Sequence, residues 1–172
     1  MSSIRAALLA AFAASSLAAH KIPVNVVLNA PFTPFRADYS LNVSVVPALA
    51  ADAVASGVNV IWAAGGMGQF DTLTMPERKA LAEAWVAATR ALDVFLIIHV
   101  GTTVQADAIE LAAHAQSIGA DGVAAVPPYY ERPSTSAAVA NWLRPVAAAA
   151  RDLPFFYYVR AQNAESPPLR CG

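Results

Sequence analysis

Cysteine is almost absent: Cys171 is the only one in the chain. A single thiol excludes an internal disulfide and any cysteine-based zinc cluster. Charge is also scarce. Charged residues make up 13% of the chain, the net charge is -1 and no Lys/Arg stripe forms, which argues against nucleic acid as a partner. Lysine occurs only at Lys21 and Lys79. No apolar run is long and hydrophobic enough to span a membrane, so no membrane partner is expected. Apolar residues fill 57% of 172 positions, which marks a packed globular chain of one domain.

The amino terminus is read separately. Residues 1–19 hold Arg5, an Ala/Leu/Phe run and then Leu17, Ala18 and Ala19, and the first acid is Asp38. A secretory or organellar targeting segment fits this pattern. An Ala-rich amino-terminal helix fits it as well. The expected organisation is therefore a separate segment 1–20, a domain over 21–160 and an irregular tail over 161–172.

The clearest unit is S-I-G-A-D-G-V-A-A-V-P-P-Y-Y, Ser117 to Tyr130. Gly119 suits a helix end. Residues 122–126 are apolar on both faces, as in a covered parallel strand. Tyr129 and Tyr130 then lie past the carboxyl end of that strand, where parallel α/β folds place their chemistry. Similar strands are expected at 24–29, 58–63, 94–100 and 155–159. Helices are expected at 41–56 with Pro47 in the first turn, from 74 to about 91, from 102–105 to 118, and over 134–150. Thr74 with Glu77, and Thr102 with Gln105, read as capping boxes. Pro145 is expected to kink or shorten the last helix.

Strand starts recur about every 33 residues, the size of a βα unit. Alternating strands and helices imply an α/β fold with a parallel sheet and right-handed crossovers. Two architectures fit about five βα units: a flavodoxin-like doubly wound sheet, or part of a TIM (β/α)8 barrel. Length favours the first, since a barrel needs about 250 residues.

Particular residues favour the second. The loop A-G-G-M-G-Q-F-D-T-L-T-M-P-E-R resembles the G-T-T-G-E loop of the pyruvate-dependent class I lyases. I-I-H-V-G resembles the third strand of the N-acetylneuraminate lyases within that family. A-A-H-A-Q-S-I-G-A-D-G-V-A-A-V-P-P-Y-Y resembles the fourth unit, and L-P-F-F-Y-Y-V the fifth strand. The P-P-Y-Y loop is more similar to the dihydrodipicolinate synthases, so the substrate stays open between the two.

The resemblance implies an aldolase-type lyase that makes or breaks a carbon–carbon bond beside pyruvate, without a cofactor or metal. A lysine on the sixth strand forms a Schiff base, and the imine accepts the electrons of the breaking bond. A tyrosine on the fifth strand relays the proton, and that residue falls on Tyr158. The two threonines that bind the pyruvate carboxylate fall on Gly66 and Met67, and the following acid falls on Gln69. Backbone N–H groups in a Gly-rich turn can hold a carboxylate, but both hydroxyl donors are gone. A plain tight turn explains the same glycines. A dinucleotide loop is disfavoured because no helix opens directly on them. Tyr130 falls where related synthases bring a tyrosine across a subunit interface.

The resemblance also implies a homotetramer and a cytoplasmic protein, unless residues 1–19 direct it to an organelle or to secretion. The sequence as written ends before a sixth strand. The expectation is therefore an incomplete barrel without the Schiff-base lysine. Lys79 is expected on a solvated helix face, and Lys21 precedes the first strand. His99 reads as a core residue, and His114 lacks a second ligand one turn on. A non-catalytic half-barrel paralogue or binding module is the alternative of a different class.

Overall fold

Strands follow one another across a single parallel sheet in the order of the chain. The computed structural model describes residues 25–159. The segment 1–20, Lys21, Cys171 and the tail 161–172 lie outside the described residues. The strands are β1 (Leu28–Asn29), β2 (Val60–Ala63), β3 (Phe95–His99), β4 (Gly122–Ala125) and β5 (Phe155–Tyr157). Leu28 pairs with Val60, Ile61 with Leu96, Ile98 with Val123, and Ala124 with Phe156. A flavodoxin-like sheet runs 2-1-3-4-5. The sequential order found here rules it out and is that of a partial barrel.

The alternation of side chains along the strands separates two layers. Ile61, Ala63, Leu96, Ile98, Val123 and Ala125 join the main core with the helices. Val60, Ile97 and Ala124 turn to the other face, where Trp62, Phe95 and Phe156 pack on them. In a complete barrel the first layer faces the helical ring and the second fills the interior.

The helices are α1 (Val46–Ala55), α2 (Met75–Thr89), α3 (Gln105–Ile118) and α4 (Ser136–Ala149). Each packs beside the next, and all contribute to the one main core. Pro47 sits in the first turn of α1, where its missing N–H costs nothing. The Thr74 capping box forms. Thr74 Oγ1 accepts from the Glu77 N–H at 3.4 Å, and Glu77 Oε2 accepts from the Thr74 N–H at 2.9 Å. Trp85 on α2 is 1% exposed, and burying each large apolar side chain contributes roughly 1.5–3 kcal/mol. Gly119 ends α3 at φ 89°, a conformation that a Cβ penalises.

Two local expectations are corrected. No capping box forms at Thr102, because α3 starts at Gln105 behind Val104 with no side-chain cap. The Gln105 side chain is engaged elsewhere: its Nε2 donates to the Trp142 carbonyl at 2.8 Å and ties α3 to α4. Pro145 does not shorten α4, which runs on to Ala149. Pro145 and Asn141 are both exposed, so water can satisfy the carbonyl that proline leaves unpaired.

Candidate active site

Because all the strands run parallel, the segments that follow β2 to β5 gather at one end of the sheet. Residues 64–74 follow β2, residues 100–104 follow β3, residues 126–135 follow β4, and Tyr158 follows β5. This is the end at which barrels carry their sites. A cleft of about 200 Å³ opens there, lined by Leu28, Ala30, Trp62, Gly65, Gly66, Met67 and Tyr158. Three residues singled out in the sequence, Gly66, Met67 and Tyr158, therefore share one wall.

Tyr158 is held from two sides. Its N–H donates to the Ala125 carbonyl at 3.0 Å, which extends the β4–β5 ladder by one residue. Its ring lies 5.3 Å from that of Trp62, tilted by 58°, and meets the His99 ring edge-on at 6.3 Å. Trp62 stands two residues beyond Val60 and on the same face. A period of two identifies that inward set from the sequence, although Trp62 was not singled out.

The loop after β2 is tightly folded. Ala64 (φ 55°) and Gln69 (φ 51°) both take the left-handed conformation, uncommon for residues with a Cβ. A Cβ on Gly65 would lie 2.9 Å from both Cδ1 and Nε1 of Trp62. Glycine there lets the backbone pass against the indole and brings Gly66 and Met67 to the cleft. Thr33 Oγ1 donates to the Gly68 carbonyl and pins the far side of the turn.

Tyr130 is not brought to this cleft. It is 85% exposed, and its neighbour Tyr129 turns inward instead. Tyr129 meets the Phe70 ring edge-on at 5.7 Å. Burial raises the Tyr129 phenol pKa and Asp71 adds to this, while Arg78 and a hydrogen bond from Thr103 oppose it. The dipeptide alone does not tell which tyrosine turns in.

Among the described residues, neither the imidazoles nor the lysine line the cleft. His99 is 1% exposed and stacks 4.5 Å from Phe70. His114 pairs with Glu83 at 2.9 Å, and Lys79 with Glu110 at 2.6 Å, both between α2 and α3. Lys79 is thus paired rather than simply solvated, on the outer layer away from the cleft. Among the described residues no group of His, Cys, Asp and Glu is placed to hold a metal ion, and no helix is long and apolar enough to cross a membrane.

Sequence reading missed Arg78. It sits in the first turn of a capped helix, a position that is usually exposed, yet it is 4% exposed. Its spacing from Leu81, Ala82 and Trp85 puts it on the buried stripe of α2, but a charged residue at the end of such a stripe is ordinarily read as solvated.

Known proteins are similar to this chain in sequence and in fold. The model of the dihydrodipicolinate synthetase family matches residues 23–165. N-acetylneuraminate lyase of Danio rerio is 40% identical over 131 residues, which cover 75% of this chain and 42% of that one. Among solved structures, Proteus mirabilis N-acetylneuraminate lyase matches with TM-score 0.74 and 35% identity, over 78% of this chain and 45% of that one. YagE, an Escherichia coli K12 prophage protein of the dihydrodipicolinic acid synthase family solved with pyruvate, matches with TM-score 0.74 and 30% identity, over 84% and 48%. The chain spans less than half the length of these relatives. The match runs through every described strand and helix and through the cleft wall, and by it the chain belongs to the dihydrodipicolinate synthetase family.

Proposed function

We propose that this chain carries the pyruvate-binding wall of an N-acetylneuraminate lyase-type site. The reaction is the reversible cleavage of sialic acid to N-acetylmannosamine and pyruvate. One observation supports this reading above the others: Tyr158 and the Gly66–Met67 turn, far apart in sequence, line one cleft at the carboxyl ends of the strands. Backbone N–H groups of the turn would hold the pyruvate carboxylate, replacing the hydroxyl donors of the threonines. Tyr158 would take the proton from the substrate hydroxyl as the carbon–carbon bond breaks, and would return it in the synthetic direction. The electron pair of that bond passes to an iminium formed between the ketone and a lysine. Tyr130, fully outside the cleft, suits a contact with a second subunit of a homotetramer. Dihydrodipicolinate synthase-like chemistry shares the pyruvate half of this scheme and differs in the aldehyde.

Two observations favour a second reading, a binding half-barrel without Schiff-base chemistry. The turn has lost its hydroxyls, and Lys79 is engaged with Glu110 on the outer layer. Trapping with pyruvate and borohydride in a form of the protein that includes a sixth strand, followed by peptide mass mapping, separates the readings. An adduct on a lysine other than Lys21 and Lys79 supports the lyase. Saturable pyruvate binding without an adduct supports the binding module. Neither binding nor adduct overturns both.

A further inference from the structure

Arg78 places a charge where charge is costly to bury. Its Nη2 donates to the His99 carbonyl at 2.8 Å and its Nη1 to the Gly101 carbonyl at 3.0 Å. Both acceptors lie at the carboxyl end of β3. Burial lowers the guanidinium pKa to about 10, against the opposing pull of Tyr129, Asp107 and Asp71, so the group is a cation at neutral pH. Among the described residues no carboxylate forms an ion pair with it. An apolar side chain would fill the same space at lower desolvation cost. What the cation adds is direction, because two donors of a rigid fork fix two carbonyls at once.

The contacts lead from there to the cleft. The guanidinium lies 5.4 Å over the Phe70 ring. Phe70 belongs to the turn that follows Gly66 and Met67, and its ring stacks 4.5 Å from His99. His99 in turn presents its ring edge-on to Tyr158 at 6.3 Å. We infer that Arg78 is a positioning residue: by clamping the end of β3 and the Phe70 turn together, it fixes the His99 ring against which Tyr158 is oriented. The significance of that orientation rests on the proposed function, in which Tyr158 relays the proton. The geometry itself can be tested without any turnover.

The protein is labelled with 3-fluorotyrosine, and the Tyr158 fluorine resonance is assigned from its loss in Tyr158→Phe. Arg78→Met keeps most of the packing and removes both donors. The expected result is a Tyr158 resonance displaced by more than its linewidth and broadened, with a native far-ultraviolet circular dichroism spectrum. Arg78→Lys, which keeps the charge and reaches a carbonyl with one ammonium, should move it back towards the wild-type position. Phe70→Leu breaks the ring relay without touching the charge and should also displace the line. A Tyr158 resonance unmoved in folded Arg78→Met overturns the inference. If Arg78→Met does not fold, an unmoved line in Phe70→Leu overturns it. A wild-type protein that fails to bind pyruvate removes the functional reading alone, because the ring measurement does not depend on it.

Discussion

The rings of Trp62 and Tyr158 stand 5.3 Å apart, although two strands separate β2 from β5 in the sheet. In a flat sheet three strand spacings would hold them roughly 14 Å apart, at about 4.8 Å per spacing. Their contact shows that the sheet curls and that both rings point into the concave side. The same curvature gathers the Gly66–Met67 turn and Tyr158 into one cleft.

Gly65→Ala tests how closely that turn is built on the indole. The new Cβ would sit 2.9 Å from Trp62 Cδ1 and Nε1, so the ring must move. Overpacking of this kind costs about 1–3 kcal/mol. Urea unfolding should show that loss, and the Trp62 emission, isolated by difference against Trp62→Phe, should shift. Unchanged stability and emission would contradict the geometry.

Ala64→Gly weighs strain against burial. Ala64 is buried at φ 55°, and a left-handed residue with a Cβ costs about 1–2 kcal/mol. Glycine relieves this but loses roughly 0.5–1 kcal/mol through unfolded-chain entropy and about 0.8 kcal/mol with the buried methyl. The contributions nearly cancel, so the urea midpoint should stay close to that of the wild type at unchanged slope. A loss of about 1.5 kcal/mol, the two losses alone, would show that the turn carries no strain at this residue.

The α2 cap has a pH signature. The Thr74 hydroxyl and, after it, the Thr74 N–H hold the Glu77 carboxyl below its ordinary value. A carboxyl lowered in the native state stabilises the fold above the ordinary value of about 4.3 and stops doing so as pH falls through the lowered one. The stability gap between wild type and Glu77→Gln should therefore narrow on acidification below pH about 5. Thr74→Ala should cost about 1 kcal/mol at neutral pH. A gap that stays constant into acid would mean that the carboxylate does not contribute through the cap.

Met67→Thr addresses the turn that has lost its hydroxyls. Restoring one donor at the rim of the cleft adds a hydrogen bond of about 0.5–1.5 kcal/mol. Pyruvate should then bind roughly two- to tenfold more tightly in a calorimetric titration. Equal or weaker binding would place the carboxylate elsewhere.

Much of this was legible in the chain. The repeat of strands, the Thr74 cap, Gly119 and Pro47 are local signals, and local geometry realised them. The choice between barrel and doubly wound sheet is a matter of strand order, which no periodicity encodes; it came from the resemblance and is settled by the pairing of β1 through β5. Gly66, Met67 and Tyr158 were singled out through motifs, and the fold brings them to one cleft. Trp62 and Arg78 were missed for different reasons. Trp62 shares the inward face with Val60, which a period of two marks, but its meeting with Tyr158 depends on the curl of the sheet. Arg78 is buried by the packing of α2 against the end of β3, a tertiary event. At Thr102 and Pro145 local rules failed where Gln105 is engaged by a tertiary hydrogen bond and where Asn141 and Pro145 are exposed to solvent.

The most direct measurement is a pyruvate titration of the isotopically labelled protein followed by amide chemical shifts. Saturable shifts at Gly66, Met67 and Tyr158, with Lys79 and the outer helix faces undisturbed, are expected if the cleft is the pyruvate site. Absence of saturation, or shifts confined to residues away from the carboxyl ends of the strands, would contradict it.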